Sequence, residues 1–388
     1  MTLDVPAPVR DRIGALARHA DTALPAYLID LDGLRAHAGG IRAALPERVE
    51  FWYAAKANAQ APVLRGLAGI VDGYEVASGG ELRHVRQTLP GARVAFGGPG
   101  KTEAELAAGL GQRVERFHVE SPHELRLLGR TARRLGATAD VLLRLNLPVG
   151  TAGAALSMAG PFGLDPGLLE ECRSVLAGHP ELRLRGIHAH LASGLEAPAQ
   201  VALAARILRH AAGHREVNVG GGMAVDYGRP AERFDWAGYG VGLGRLLPPG
   251  TTVRIEPGRA VTAYCGWYAT RVLDVRHSGG AAYAVLAGGT HHLRTPVAKG
   301  HDQPFVVLPA DHWPWSWQRP EARQMPVTLV GQLCTPKDVL ARAVPVVRIR
   351  AGDVVAFGMA GAYAWNISHR DFLMHPPPAF HYLGREGA

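Results

Sequence analysis

The chain carries almost nothing that could staple, anchor or export it. Three cysteines, Cys172, Cys265 and Cys334, stand in 388 residues. They are too few and too scattered for a disulfide framework or a structural zinc site. A reducing compartment is the natural setting for such a chain. No stretch reaches about 18 apolar residues without a charge, so no transmembrane helix is expected. The opening segment, MTLDVPAPVRDRIGALARHADTALP, lacks an apolar core and carries acids, which argues against a secretory signal. The cytoplasm is therefore the expected location. Neither a low-complexity tail nor a repeat of about 20–50 residues is visible. Lysine is scarce as well: Lys56, Lys101, Lys299 and Lys337 are the only four.

What remains is ordinary globular material, 47% apolar and 20% charged. The length suggests two or three domains, although a barrel uses about 250 residues as one. A core of that size needs no staple. Lys plus Arg is 42 and Asp plus Glu is 34, so the net charge is 42 − 34 = +8, nearly all of the positive side being arginine. One reading is compositional bias on a solvated surface. The other is attraction of an anionic substrate or cofactor. The basic residues form no long run, so nucleic acid is not an expected partner.

From about residue 47 to 258 short β-like runs alternate with helical ones. The strand candidates are VEFWYAA (49–55), GYEVAS (73–78), RVAFGG (93–98), RFHVES (116–121), ADVLLRLN (139–146), LRGIHAHL (184–191), EVNVGG (216–221) and VRIEP (253–257). Between them lie runs such as HELRLLGRTARRLG and QVALAARILRHAA. The last spaces Val201, Ala204, Ala205 and Leu208 along one helical face. Eight such units predict a parallel (β/α)8 barrel rather than a doubly wound open sheet. Beyond residue 258 the rhythm turns to strands and turns, which predicts a separate all-β domain. The strand-like segment 24–31 is a candidate to pair with it. The expected division is a barrel of 26–245 and a β domain of 1–25 plus 246–388.

Several motifs fall at strand ends, where barrels place their active sites. Lys56, in YAAKAN, ends the first strand. A partly desolvated lysine there can lose its proton and form a Schiff base; the plain alternative is a lysine emerging into solvent. Gly220, Gly221 and Gly222 follow the seventh strand, where barrel loops often hold phosphate. Glu256, Gly258 and Arg259 belong to EPGR at the end of the eighth. A carboxylate at that place can pair with a pyridinium nitrogen, and an arginine can bind phosphate or carboxylate; an internal Glu–Arg pair is the bland alternative. His188 and His190 share a face of the sixth strand. A metal would need further ligands that the sequence does not place, so ring stacking on a flat cofactor is favoured and no metal is expected. AFGGPGKT resembles a phosphate loop, but its first position is Ala95 and the eightfold rhythm does not suit a nucleotide triphosphatase. HWPWSW (312–317) is expected to pack or to make an oligomer contact.

Taken in order, these motifs resemble the fold-type III pyridoxal-phosphate decarboxylases, the diaminopimelate and ornithine decarboxylase family. YAAKAN, EVASGGEL (75–82), the sixth-strand histidine with its serine, GGG, EPGR, GQLC and GAY (361–363) occur in the family's sequence. The resemblance covers nearly the whole chain, about Tyr27 to Tyr382. It implies pyridoxal 5'-phosphate as cofactor, Lys56 as its Schiff-base lysine and His190 stacked on its ring. It implies phosphate contacts from Ser193 and Gly220–Gly222, with Gly258 in the same site. Arg259 and Tyr363 fall near phosphate or substrate carboxylate, and Glu256 on the ring nitrogen. Cys334 becomes the proton donor to the α-carbon, entering from the partner subunit of a homodimer with shared sites.

Two departures stand out. Where the family has an acid after that cysteine, to hold a distal ammonium, this chain has Thr335, and Lys337 follows two residues later. LAS (191–193) replaces the usual glycine before the serine. GAYAWNISHRDFLMHPPP and GGTHHLRTPVAKGHDQPF resemble a subgroup acting on amino acids that are already acylated or carrier-bound, including the citryl-diaminopropionate type of siderophore synthesis. The expected substrate is thus an α-amino acid with an anionic distal group. Glutamyl-carrier-protein, diaminopimelate or ornithine decarboxylation is the alternative, and racemisation a more remote one. A non-catalytic vitamin-binding protein would share the lysine and glycines but would not need Cys334.

Overall fold

The computed structural model describes residues 3–18, 24–147, 153–158, 160–211, 213–294 and 302–385. The chain divides into two compact units. The barrel unit holds Arg35–Ala224 and Phe234–Val261. The β unit holds the residues up to Leu34, then Val225–Arg233 and Thr262–Arg385.

The barrel unit closes on eight strands: Val49–Ala54, Gly73–Val76, Val94–Phe96, Arg116–Val119, Ala139–Arg144, Leu182–His188, Glu216–Asn218 and Thr252–Ile255. Every pairing is parallel, and the first strand meets the eighth. This is the predicted (β/α)8 barrel. A barrel ending at residue 245 would be left open, because Thr252–Ile255 supplies the strand that joins both ends. The expected limits shift at two other places. Ala26–Asp30 pairs within the β unit, and so do residues 225–233 belong there rather than to the barrel.

The outer helices form for readable reasons. In Pro122–Leu135 the Ser121 side chain accepts the Glu124 N–H, proline occupies the first turn, and Gly136 ends the helix at φ 61°. Leu125, Leu128 and Ala132 face inward, while Arg126, Arg130, Arg133 and Arg134 lie outside the buried set. Each of the two buried leucines contributes about 1.5–3 kcal/mol of burial.

At the N-terminal ends of the strands, acids and arginines alternate around the barrel. Arg254 Nη2 lies 2.6 Å from Glu50 Oε2, and its guanidinium stacks over Trp52 at 4.0 Å. Arg116 makes two 2.6 Å hydrogen bonds to Glu216, and Arg93 bridges Glu50 and Glu115. Burial pushes the Glu50 carboxyl up, but Arg254 and Arg93 outweigh it and hold it below the usual carboxylate range.

In the β unit the strand order is Phe305–Leu308, Val354–Phe357, Gly266–Ser278, Ala281–Leu286, Glu321–Val330, Val339–Arg350. Ala26–Asp30 joins it antiparallel to Gly266–Ser278 and parallel to Ala379–Leu383. Helix Ala7–Arg18 packs Val9, Ile13 and Leu16 on Leu28, Trp267 and Ala356. The HWPWSW segment does not join the core: Trp315 and Trp317 stack on each other at 4.7 Å and stay about half exposed. Among the described residues no helix is long and apolar enough to cross a membrane.

Candidate active site

The C-terminal ends of the barrel strands gather a different set of side chains. Val49–Ala54 ends in a single tight turn, Ala55–Ala57, which presents Lys56. Its Nζ donates to Glu75 Oε2 at 2.8 Å. The lysine side chain is 44% exposed, whereas that of Glu75 is 5% exposed, so the amine stays reachable while its partner is fixed.

Glu256 follows the eighth strand and is buried. Asn218, the last residue of the seventh strand, donates to its Oε1 at 2.6 Å and accepts the Gly220 N–H through its own carbonyl oxygen. Burial raises the Glu256 carboxyl above its ordinary range, and the Glu75 charge adds to that. Lys56, the Asn218 amide and Arg254 pull it down. His118, from the fourth strand, and His188, from the sixth, lie 3.7 and 3.5 Å from its two oxygens. These three are the cluster among the described residues with ligand atoms close enough for a metal.

The glycine turn after the seventh strand is drawn tight. A Cβ on Gly221 would lie 2.3 Å from the Glu256 carbonyl oxygen, and one on Gly222 2.1 Å from that of Ala192. Gly220 and Gly222 have φ of 72° and 92°, where side chains are strained. The Gly221 N–H donates to His190 Nδ1 at 3.2 Å. Burial, with Lys56 and Arg144 nearby, pushes His190 down to about 3, so the ring is neutral and its proton resides on Nε2. Ser193 lies just beyond, in the two-residue strand Ala192–Ser193 paired with Leu156–Ser157. Gly258 packs against Ala54 and Ala57, where a Cβ would come within 2.9 Å of Ala57, and Arg259 opens a short helix. The sequence-predicted Lys56, His190, Ser193, Gly220–Gly222, Glu256, Gly258 and Arg259 thus all sit at or just past strand ends of one barrel.

Residues 31–263 match the model of the family "Pyridoxal-dependent decarboxylase, pyridoxal binding domain". The chain belongs to the pyridoxal-dependent decarboxylases. It is 37% identical, over 92% of its length and 93% of the relative's, to 2-[(L-alanin-3-ylcarbamoyl)methyl]-2-hydroxybutanedioate decarboxylase of Staphylococcus aureus. It is 28% identical, over 97% of its length and 92% of the relative's, to L-glutamyl-[BtrI acyl-carrier protein] decarboxylase of Niallia circulans. In fold it is similar to diaminopimelate decarboxylase from Helicobacter pylori, with a TM-score of 0.83 at 23% identity, covering 96% of this chain and 93% of that one.

The residues of this decarboxylase fit pyridoxal phosphate. Burial disfavours the Glu256 anion, so a cationic ring nitrogen beside it would restore the charge, and a turn stripped of side chains suits a phosphate. Lys101 takes no part: its Nζ is 2.7 Å from Glu124 and bonds the Gly98 carbonyl, so the loop-like AFGGPGKT encloses its own lysine.

The remaining predicted residues of the decarboxylase belong to the β unit. Cys334 is exposed. With Thr335, Arg276 and Tyr283 it lines a hollow of about 750 Å³. Asp338 shapes that loop by accepting the N–H groups of Leu333 and Thr290 at 2.8 and 2.6 Å. Thr335 Oγ1 accepts the Lys337 N–H at 3.3 Å. Tyr363 has φ of 49°. Lys299 lies outside the described residues.

Sequence reasoning missed Glu75, His118 and Asn218, and gave His188 no role beside Glu256. Each is a polar residue at or near the C-terminal end of a barrel strand, which is the signal that could have found them.

Proposed function

We propose that this decarboxylase removes the α-carboxylate of an amino acid whose side chain ends in an anionic group. The name of the Staphylococcus aureus relative spells such a molecule: an alanine joined through its β-carbon and an amide to a hydroxy-dicarboxylate. The observation that carries the reading is Thr335, an uncharged residue directly after Cys334 on an exposed loop. An acid there would favour a distal ammonium; its absence, with Lys337 close in sequence, favours carboxylates. The Niallia circulans relative supports a second reading, a carrier-bound aminoacyl group.

The residues at the barrel end support this reading. Lys56 would be the covalent anchor of the cofactor, and Glu75, already in contact with Nζ, would take and return the amine's proton. His190, neutral and fixed by the Gly221 N–H, offers a flat face for the ring. Gly220–Gly222 and Ser193 hold the phosphate, with Arg259 and Tyr363 on phosphate or substrate carboxylate. Glu256 would face the ring nitrogen and favour its protonated form. The bound cofactor supplies an electron sink for the bond to the departing carboxylate. Cys334 Sγ then delivers a proton to the substrate's α-carbon. A thiol carries a transferable proton and suits that task. The thiol comes from the partner subunit of a homodimer, and the protein works in the cytoplasm.

Carbon dioxide release from citryl-type amides, carrier-bound aminoacyl groups and free diamino acids tests the substrate class. The expected order places the dicarboxylate amide first. A higher kcat/KM on diaminopimelate or ornithine would reject the reading.

A further inference from the structure

His118 and His188 start from strands that are not neighbours, since Ala139–Arg144 lies between them. Their rings nevertheless meet at 4.3 Å with an interplanar angle of 35°. Both side chains are enclosed, and none of the four ring nitrogens has a hydrogen-bond partner. As core filler this is the wrong material, because two apolar rings would occupy the space without burying unsatisfied polar atoms. A neutral imidazole carries one N–H that needs an acceptor. Glu256 presents an acceptor to each ring: its Oε1 lies 3.7 Å from His118 Nε2 and its Oε2 3.5 Å from His188 Nε2. Each distance is a few tenths of an ångström beyond a hydrogen bond, and catalytic hydrogen bonds often tighten when a site is filled.

We propose that His118 and His188 are positioning residues for Glu256: each turns its Nε2–H to one carboxylate oxygen and keeps that carboxylate charged and aimed at the ring nitrogen of the bound cofactor. The inference rests on the reading of Glu256 as the ring-nitrogen partner. The two histidines supply what burial takes away. With Glu75 raising and Lys56 and Arg254 lowering the Glu256 carboxyl, the balance is close, and Asn218 alone donates to one oxygen. Burial keeps both histidines neutral, and Arg144 and Lys56 act on both as further cations; His118 is also near Arg254 and Lys101, and His188 near His190. They therefore act as donors without bringing a competing charge.

The test loads wild type and variants with pyridoxal phosphate carrying 15N in the ring and follows that resonance against pH. Wild type is expected to keep the ring nitrogen protonated through neutral pH. His188→Leu and His118→Leu each lower the pH of half-protonation by about one unit, roughly tenfold in the protonated ratio. His188→Gln, which keeps an N–H donor, restores most of the shift. Leucine variants that titrate like wild type overturn the proposal. Glu256→Gln separates the two readings: if it too titrates like wild type, the assignment of Glu256 itself fails. Should the leucine variants not fold, 15N-histidine labelling of the loaded wild type decides. Neutral rings protonated on Nε2 support the proposal, and a bare Nε2 on either ring overturns it.

Discussion

The two ends of the barrel use charge in opposite ways. At the strand starts, Glu50, Glu115 and Glu216 each meet an arginine at hydrogen-bonding distance, and the pairs settle one another. At the strand finishes, Glu256 has an amide and two imidazoles instead of a guanidinium, and its carboxyl is pushed up rather than down. The same residue type is thus a structural anion at one end and a tunable acid at the other. The difference lies in the partner: a permanent cation fixes a charge, whereas neutral donors leave it dependent on what binds.

The contrast breaks most sharply at Lys56. Lys56→Ala should abolish turnover and the borohydride-reducible cofactor linkage while leaving the melting transition of the apoprotein nearly unchanged. Mixed with Cys334→Ala subunits, it should recover roughly a quarter of wild-type activity after subunit exchange, an estimate from dimer symmetry. No recovery after proven exchange would place the cysteine in its own chain's site or outside it.

Arg254→Met probes the opposite end. It removes one of the two arginines that hold Glu50 and leaves Arg93 at 2.8 Å, so it should cost about 1.5–3 kcal/mol in chemical denaturation, with kcat within a few-fold of wild type. A large loss of kcat in the folded variant would erase the division of labour between the ends.

Acid titration sharpens the comparison. His118 and His188 are held far below their unfolded value near 6.5. Below that pH the unfolded chain takes up protons that the folded one refuses. Their neutral burial is therefore tolerated above about pH 6.5, and stability falls on acidification by up to about 1.4 kcal/mol per pH unit per histidine. Glu256 runs the other way: its raised folded pKa means that its proton favours the fold, and that contribution fades as pH rises through neutrality. Replacing both histidines with leucine should flatten the acid limb of the apoprotein's melting curve. The smallest effect is expected at the β unit, where Thr335→Asp should improve kcat/KM on diamino acids about five- to tenfold relative to the dicarboxylate amide.

The barrel was legible because eight apolar runs alternate with amphipathic ones, and the residues past each run could be named before any coordinates. Lys56, the three glycines and Glu256 announce themselves by type and place. His118 and Asn218 do not, because their meaning depends on closure bringing the fourth, seventh and eighth strands to one point. The seam between units was harder still. VRIEP counts as the eighth barrel strand, yet the expected division at residue 245 leaves it in the β domain; its pairing with Val49–Ala54 puts it in the barrel. Helix Ala7–Arg18 went unread although Val9, Ile13 and Leu16 carry its face, since proline and charge dominate that stretch.

Ala26–Asp30 lies between Gly266–Ser278 and Ala379–Leu383, so one of the earliest strands waits for one of the last. During synthesis the β unit is an unfinished hem: its first thread emerges long before the two it must be sewn to. The barrel strands, each beside its predecessor in sequence, face no such delay until the eighth closes on the first. Removing residues 379–388 should therefore leave a chain whose N-terminal segment is cut by protease at low dose, while barrel fragments persist. Equal survival of both segments would show that the early strand holds its place without the late one.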